Sequence, residues 1–308
     1  MSILYFFAKI FGYVLNFLYQ LIGNYGVAII LFSILVKLLT IPLSIKQQRT
    51  MKKSAKIQEE MKQIQFKYKN DPEKMNQEVM ALYKRENMSP FSGCLSSIVQ
   101  IILLLSVFIL VQSPLTYMVK LDSQVINQLD TIANQSQVSN SRYKEIQVIQ
   151  YVRTLKNEAS VSEEEQDDNY KLINQYKDKV NLNMDFLGID LSAVPTQNLS
   201  DWKTLVIPIL YVITSFISIR MTTNMQNNKK DKKLITDGNE EKKEEEYNPM
   251  LEANKSMSWF MPLMSVSIAI IAPLGLALYW LMNNLLSITE RIVLNKVLKK
   301  EEEATENA

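Results

Sequence analysis

Lys37 is the residue whose placement most demands a chemical explanation. It lies within an apolar run, YGVAIILFSILVKLLTIPL, and is the single charged side chain inside the cores of the chain's apolar stretches. An ammonium near a membrane midplane costs several kcal/mol unless it faces a polar cavity or a partner. No Asp or Glu in those cores is available to pair with it. Snorkelling is the competing explanation, because Leu43 lies about 9 Å of helix away towards the charged end. Other polar side chains recur in the apolar runs: Ser33 one turn before Lys37, Gln100, Ser215, Ser218, Tyr279, Asn283 and Asn284. Singly, each suits a hydrogen bond between helices. Together they suit a hydrated recess whose one charge is Lys37, a site for something anionic.

The rest of the inventory excludes much. The 308 residues contain 34 basic and 32 acidic side chains, no histidine and one cysteine, Cys94. Histidine-dependent triads, histidine proton relays and histidine metal sites are therefore ruled out. One cysteine forms no intrachain disulfide. Neither a Walker-type phosphate loop nor a dinucleotide fingerprint is present. No cofactor is expected, no nucleic acid is expected as a direct partner, and an enzyme is the least expected class.

The elements that must position these residues follow from uneven hydropathy. Apolar runs of about the ~20 residues that cross a bilayer occupy 23–43, 91–113 and 203–221. A fourth stretch, Trp259 to Leu286, is interrupted by Pro262 and Pro273. The 44–90 segment holds 11 Lys/Arg, and seven more lie between residues 221 and 255. The positive-inside tendency places both segments and the tail in the cytoplasm. An external N-terminus and an internal C-terminus need an odd number of crossings, so the fourth stretch divides into 258–272 and 273–290. The expected fold is an all-α polytopic membrane protein with five transmembrane helices. Residues 1–22 carry a narrow polar stripe (Ser2, Lys9, Asn16, Gln20) and read as an interfacial amphipathic helix, with a signal peptide and a sixth span as the competing readings.

Residues 44–89 read as a cytoplasmic helical hairpin. Ile57, Met61, Ile64 and Tyr68 share one helical face and Met75, Val79 and Leu82 another. Asp71 is placed to cap the second helix and Pro72 to start it. The extracytoplasmic segment 114–202 suggests short amphipathic helices around Val125, Leu129, Ile132 and around Ile146, Ile149, Val152, with VSEEEQDD as a solvated connector. The mixed-charge stretch 222–257 reads as a disordered cytoplasmic loop, and 291–308 as a cytoplasmic tail.

Three blocks carry a family resemblance: VKLLTIPLSIKQQRTMKKSAKIQEEMKQIQFKYKNDPEKMNQEVMALYKRENMSPFSGCLSSIVQ, IPILYVITSFISIRM and APLGLALYWLMNNLLSITERIVLNK. On these the chain resembles the YidC-type membrane protein insertases, which have mitochondrial and chloroplast relatives, in a short form without a large N-terminal periplasmic domain. The resemblance implies five helices around a hydrophilic groove open to the cytoplasm and to lipid, in the plasma membrane of a bacterium. It implies an insertase and chaperone whose partners are nascent membrane-protein clients, the bilayer, and in some relatives a Sec-type translocon and the ribosome. Lys37 stands where the family usually has an arginine that attracts acidic client tails. Ser33 matches a client-contacting position, Trp280 an aromatic one on the last span, and Ser218 a groove position often held by glutamine. With Gln100, Tyr279 and Asn283 these form the expected client groove.

The chain departs from the family in three places. Lysine lacks arginine's bidentate fork. The stretch 120–180 exceeds what the family core needs. The tail ends in the acidic EEEATENA rather than the basic tail with which some relatives approach ribosomes. Two other classes remain open: a small anion channel or transporter with Lys37 as selectivity charge, and a scaffold for assembling other membrane complexes.

Overall fold

The computed structural model describes residues 2–87, 92–136, 143–157, 168–197, 199–227 and 267–306. The mixed-charge loop beyond residue 227, the fourth apolar stretch through residue 266 and the acidic connector through residue 167 lie outside the described residues, as does the Cys94 side chain. The described chain is helical apart from one two-stranded hairpin. Three helical stretches, Ile3–Ile22, Tyr25–Thr50 and Lys203–Met221, are long and apolar enough to cross a bilayer, and Ile98–Gln112 is a shorter apolar helix. The protein is an all-α membrane protein. Two compact units divide it, residues 1–35 with 106–308, and residues 36–105.

In the first unit, α1 (Ser2–Ile22) stops where Gly23 takes φ +71, the left-handed conformation that a glycine adopts without strain. Asn24 then starts α2 (Tyr25–Lys67), its side-chain oxygen accepting from Val27 N at 3.1 Å. Ala8 and Leu15 bury one side of α1, while Phe6, Tyr13, Phe17 and Leu21 on other sides are exposed. Gly12 lies against the Tyr117 backbone, and the Lys120 ammonium sits 3.1 Å above the Tyr13 ring. Both partners belong to the π-turn Leu115–Val119 and its end, just after α4 (Ser92–Gln112). Further along α1, the Tyr19 hydroxyl accepts from Asn183 N at 2.8 Å.

Three short helices, α5 (Ser123–Gln135), α6 (Lys144–Asn157) and α7 (Asp168–Val180), bury Leu129, Ile132, Ile146, Ile149, Val152 and Ile173 among themselves and the π-turn. Glu145 links this cap to the π-turn: its carboxylate accepts from Thr116 N at 3.0 Å and from the Thr116 hydroxyl at 2.5 Å. Burial raises the Glu145 carboxyl above the ordinary range, against the lowering effect of those hydrogen bonds and of Lys144.

The segment after α7 holds the helix starts together. Strands β1 (Asp185–Phe186) and β2 (Ile189–Asp190) pair antiparallel. Asn24 Nδ2 donates to Asp185 O at 2.7 Å and Tyr25 N to Asn183 O at 2.9 Å. The Phe186 ring fills the space where a side chain on Gly26 would project. Beyond the hairpin, the carbonyls of Ala193 and Leu191 accept from Leu274 N at 2.9 Å and Gly275 N at 2.8 Å. Those are first-turn amides of α9 (Leu274–Glu306), which have no acceptor within their own helix. Asp201 does the same for α8 (Lys203–Asn227), accepting from Lys203 N at 3.1 Å. The cap docks on this collar through Gln150 to Ser192 O and the Arg153–Asp190 ion pair.

Helices α8 and α9 start at the collar and run side by side. Their contacts advance in step, Tyr211 with Trp280, Ser215 with Asn284, Ser218 with Arg291, so the two are parallel. Parallel neighbours require the intervening chain to return to the starting side.

In the second unit, α2 passes through Leu43 without a break and carries Pro42 inside it. The Thr40 hydroxyl bonds Val36 O and Lys37 O, both at 3.0 Å, in the turn before the proline. Asp71 caps α3 (Pro72–Arg85), accepting from Lys74 N at 3.1 Å, and Pro72 supplies its first position, where no amide hydrogen is needed. Ile57 of α2 and Leu82 of α3 are buried, and an Arg85–Glu60 ion pair ties the end of α3 back to α2.

A group whose folded pKa is raised favours folding while it is protonated. Glu145 therefore contributes most below its unfolded value of about 4.3, and that contribution is lost as pH rises through the folded value. The wild-type melting temperature should fall with rising pH across this window relative to Glu145→Gln, which stays neutral. Parallel profiles for the two proteins would show that Glu145 does not titrate in this way.

Candidate functional site

The expected groove residues fall in both units. Lys37 and Gln100 belong to the second; Ser33, Ser218, Tyr279, Trp280 and Asn283 belong to the first. Lys37 is half-buried on α2, its carbonyl accepting from Thr40. Gln100 is exposed on α4 and its Nε2 donates to Gln47 Oε1 of α2 at 2.8 Å. A glutamine pair of this kind links two apolar helices without placing a charge between them.

Within the first unit, Ser33 is buried and its hydroxyl donates to Ile29 O at 2.7 Å, one turn back on its own helix. That bond uses the hydroxyl's one proton, leaving only acceptor capacity for anything else. Phe32 beside it packs on Tyr279 of α9, with ring centroids 6.5 Å apart. Trp280, the next residue, stacks on Tyr211 at 5.8 Å and is 8% exposed, its indole Nε1 buried without a hydrogen-bond partner. A buried indole N–H normally finds an acceptor, so this position suits a water or a passing carbonyl. Asn283 is half-buried; its neighbour Asn284 donates from Nδ2 to Ser215 Oγ at 2.7 Å.

Ser218 is where the structure adds most to the sequence reading. Its carbonyl and hydroxyl both accept from Arg291 Nη1, at 3.1 and 3.2 Å. The sequence had placed Arg291 in the tail, outside any site. The signal was available: Trp280, Asn284, Ser287 and Arg291 follow 4-3-4 spacing, one face of a helix, and Tyr211, Ser215 and Ser218 follow 4-3 spacing. The α8–α9 interface thus becomes progressively more polar, from a stacked aromatic pair through an amide–hydroxyl bond to a guanidinium. Among the described residues no group of three or more His, Cys, Asp or Glu could hold a metal ion.

The model of the family described as the 60Kd inner membrane protein matches residues 17–302, nearly the whole chain. The chain belongs to this family, that of YidC. Among its relatives, the "Membrane protein insertase YidC" of Chlorobaculum tepidum is 26% identical over 291 residues, covering 94% of this chain and 36% of that protein. The protein of the same description from Caldanaerobacter subterraneus is 38% identical over 106 residues, 34% of this chain and 52% of its own length. That from Syntrophobacter fumaroxidans is 49% identical over 96 residues, 31% of this chain and 17% of its own. The chain thus spans between about a sixth and a half of the length of these YidC relatives.

The rung between Ser215 and Asn284 can be measured. Ser215→Ala and Asn284→Ala should each destabilise, and their double-mutant cycle should return a coupling near 0.6 kcal/mol and not above about 1.7. Additive losses would mean that the bond contributes nothing to holding α8 on α9.

Proposed function

We propose that this chain inserts membrane proteins into the bilayer and helps them fold, with Lys37 as the charge that attracts acidic client tails. The observation that carries the reading is Lys37 itself: the one charged side chain within the apolar cores, half-buried, in a chain of the YidC family. A carboxylate on a client tail meeting that ammonium away from bulk water is attracted far more strongly than it would be in solution. The client's apolar span meanwhile partitions into lipid, gaining about 25 cal/mol per Å² of apolar surface removed from water. That gain is the driving force, and no nucleotide is consumed. The client-contacting positions expected from the sequence are Ser33, Ser218, Tyr279, Trp280 and Asn283 in the first unit, and Gln100 beside Lys37's helix in the second. The indole N–H of Trp280 suits the carbonyls of an extended segment.

Two features support the five-helix arrangement behind this reading. Parallel α8 and α9 call for one crossing between them, which residues 258–272 would supply. The contacts of α1 with the π-turn at Gly12 and Tyr13, and with Asn183 at Tyr19, suit a helix lying along the membrane rim. On the positive-inside argument the N-terminus is outside and the C-terminus cytoplasmic.

The test is insertion of a single-span client with a short acidic N-terminal tail into proteoliposomes containing this protein alone, without nucleotide. Protection of the tail from protease scores translocation. Wild type and Lys37→Arg should insert the client, and Lys37→Ala should lose most of the activity. Equal insertion by all three would remove Lys37 from the mechanism, and insertion no better than in empty liposomes would remove the autonomous insertase. Chloride flux without a client would instead favour the channel reading.

A further inference from the structure

Leu187 is the most exposed large apolar side chain described in the chain, at 86%, and it occupies the tip of the β1–β2 hairpin. Its backbone sits at φ +53 and that of Gly188 at φ +75. A two-residue hairpin turn with both φ values positive favours Asn-Gly, and a leucine in the left-handed region is strained. The leucine therefore does little for the hairpin: its side chain is exposed and its backbone is strained.

The hairpin's attachments say what surrounds that tip. Met184 and Leu191 are joined, Leu191 N donating to Met184 O at 2.9 Å, beside the first turn of α9. Phe186 lies on Gly26 at the first turn of α2, and β2 packs against α8. Leu187 is the next residue outward from Phe186. The hairpin is thus tied to the starting turns of the helices at the level where they leave the collar, and α2 and α8 are long and apolar enough to cross a bilayer. Trp202, further along the same segment, immediately precedes α8 and is 71% exposed, with Leu199 exposed nearby in sequence. Tryptophan at the end of a spanning helix partitions to the headgroup boundary.

We infer that Leu187 and Trp202 are seated in the interfacial layer of the leaflet at which α2, α8 and α9 begin, so that the hairpin tip is a lipid anchor fixing the collar's depth. Residues 182–191 contain Asp185 and Asp190 but no lysine or arginine, and beside Trp202 the one cation, Lys203, is matched by Asp201. The attachment is therefore apolar, and it depends neither on anionic lipid nor on salt.

The full chain carrying Cys94→Ser and Leu187→Cys, labelled with an environment-sensitive fluorophore, tests this in phosphatidylcholine proteoliposomes. Bromine placed high on the acyl chains should quench the probe, and aqueous iodide should reach it far less than it reaches free dye. The same pattern should hold after adding phosphatidylglycerol or raising salt. Quenching by iodide and not by bromine would put the tip in water and overturn the proposal. Quenching by neither would mean that a second copy of the chain covers the tip, which also overturns it. Leu187→Asn, the residue this turn prefers, should melt no lower than wild type in detergent, separating the anchor from the fold.

Discussion

A helix that enters a bilayer must have its first-turn amides satisfied where water runs out, because hydrocarbon offers no replacement. Much of this structure follows from how three helix starts meet the same demand, two of them opening helices long and apolar enough to cross a bilayer. Asn24 serves α2, Asp201 serves α8, and the carbonyls of Leu191 and Ala193 serve α9. Because the residues that serve α8 and α9 lie within eleven positions of one another in one segment, the two helices begin in a fixed mutual register. That register lets Tyr211, Ser215 and Ser218 meet Trp280, Asn284 and Arg291 in order. The cap of α5, α6 and α7 rests on the same segment through Gln150 and Arg153, so the collar also positions the part of the chain outside the helices.

Most polar groups inside the apolar helices already have partners. Ser33 bonds Ile29, Thr40 bonds two carbonyls of its own turn, Ser215 bonds Asn284, and Ser218 receives Arg291. Such groups stay polar while offering a visitor only what their first bond leaves over. A path for clients of many sequences has to work this way, since strong contacts would hold the segment rather than let it move on. On the insertase reading the charge of Lys37 supplies attraction, and the part-satisfied hydroxyls and amides supply a tolerable surface to slide along.

The helical, membrane-embedded character of the chain was legible because long apolar runs cannot be spent any other way. Local chemistry was legible too. Asp71 and Pro72 start α3 as their types demand; of the periodic residues, Ile57, Leu82, Leu129, Ile132, Ile146, Ile149 and Val152 are buried, while Met61, Ile64, Tyr68, Met75, Val79 and Val125 are half-buried. The collar was not legible. Its strands are two residues long, too short for any period, and its service to α9 comes from backbone carbonyls, which every residue has. Arg291 was hidden for a different reason: an arginine beside a glutamate near a chain end reads as solvated charge, and only its register with Asn284 and Trp280 argues otherwise. The direction of the Ser33 hydroxyl depends on a χ1 choice that no spacing reports.

On the insertase reading, Pro42 bears on why a lysine serves at position 37. A proline in a helix lacks the amide that would bond the carbonyl four residues back, here that of Leu38. The turn from Lys37 to Thr40 therefore carries an ammonium, a carbonyl without its helical donor and a hydroxyl already bonded to two carbonyls, all within one apolar run. On the insertase reading, such a turn is the polar neighbourhood that a lysine within an apolar span calls for. An arginine holds its charge in any surroundings and prefers a planar, two-pronged partner. A lysine's compact ammonium asks instead for polar groups around it, and on the same reading the turn before Pro42 supplies them. On that reading the two residues work as a pair, the proline freeing a backbone carbonyl in the turn that carries the lysine.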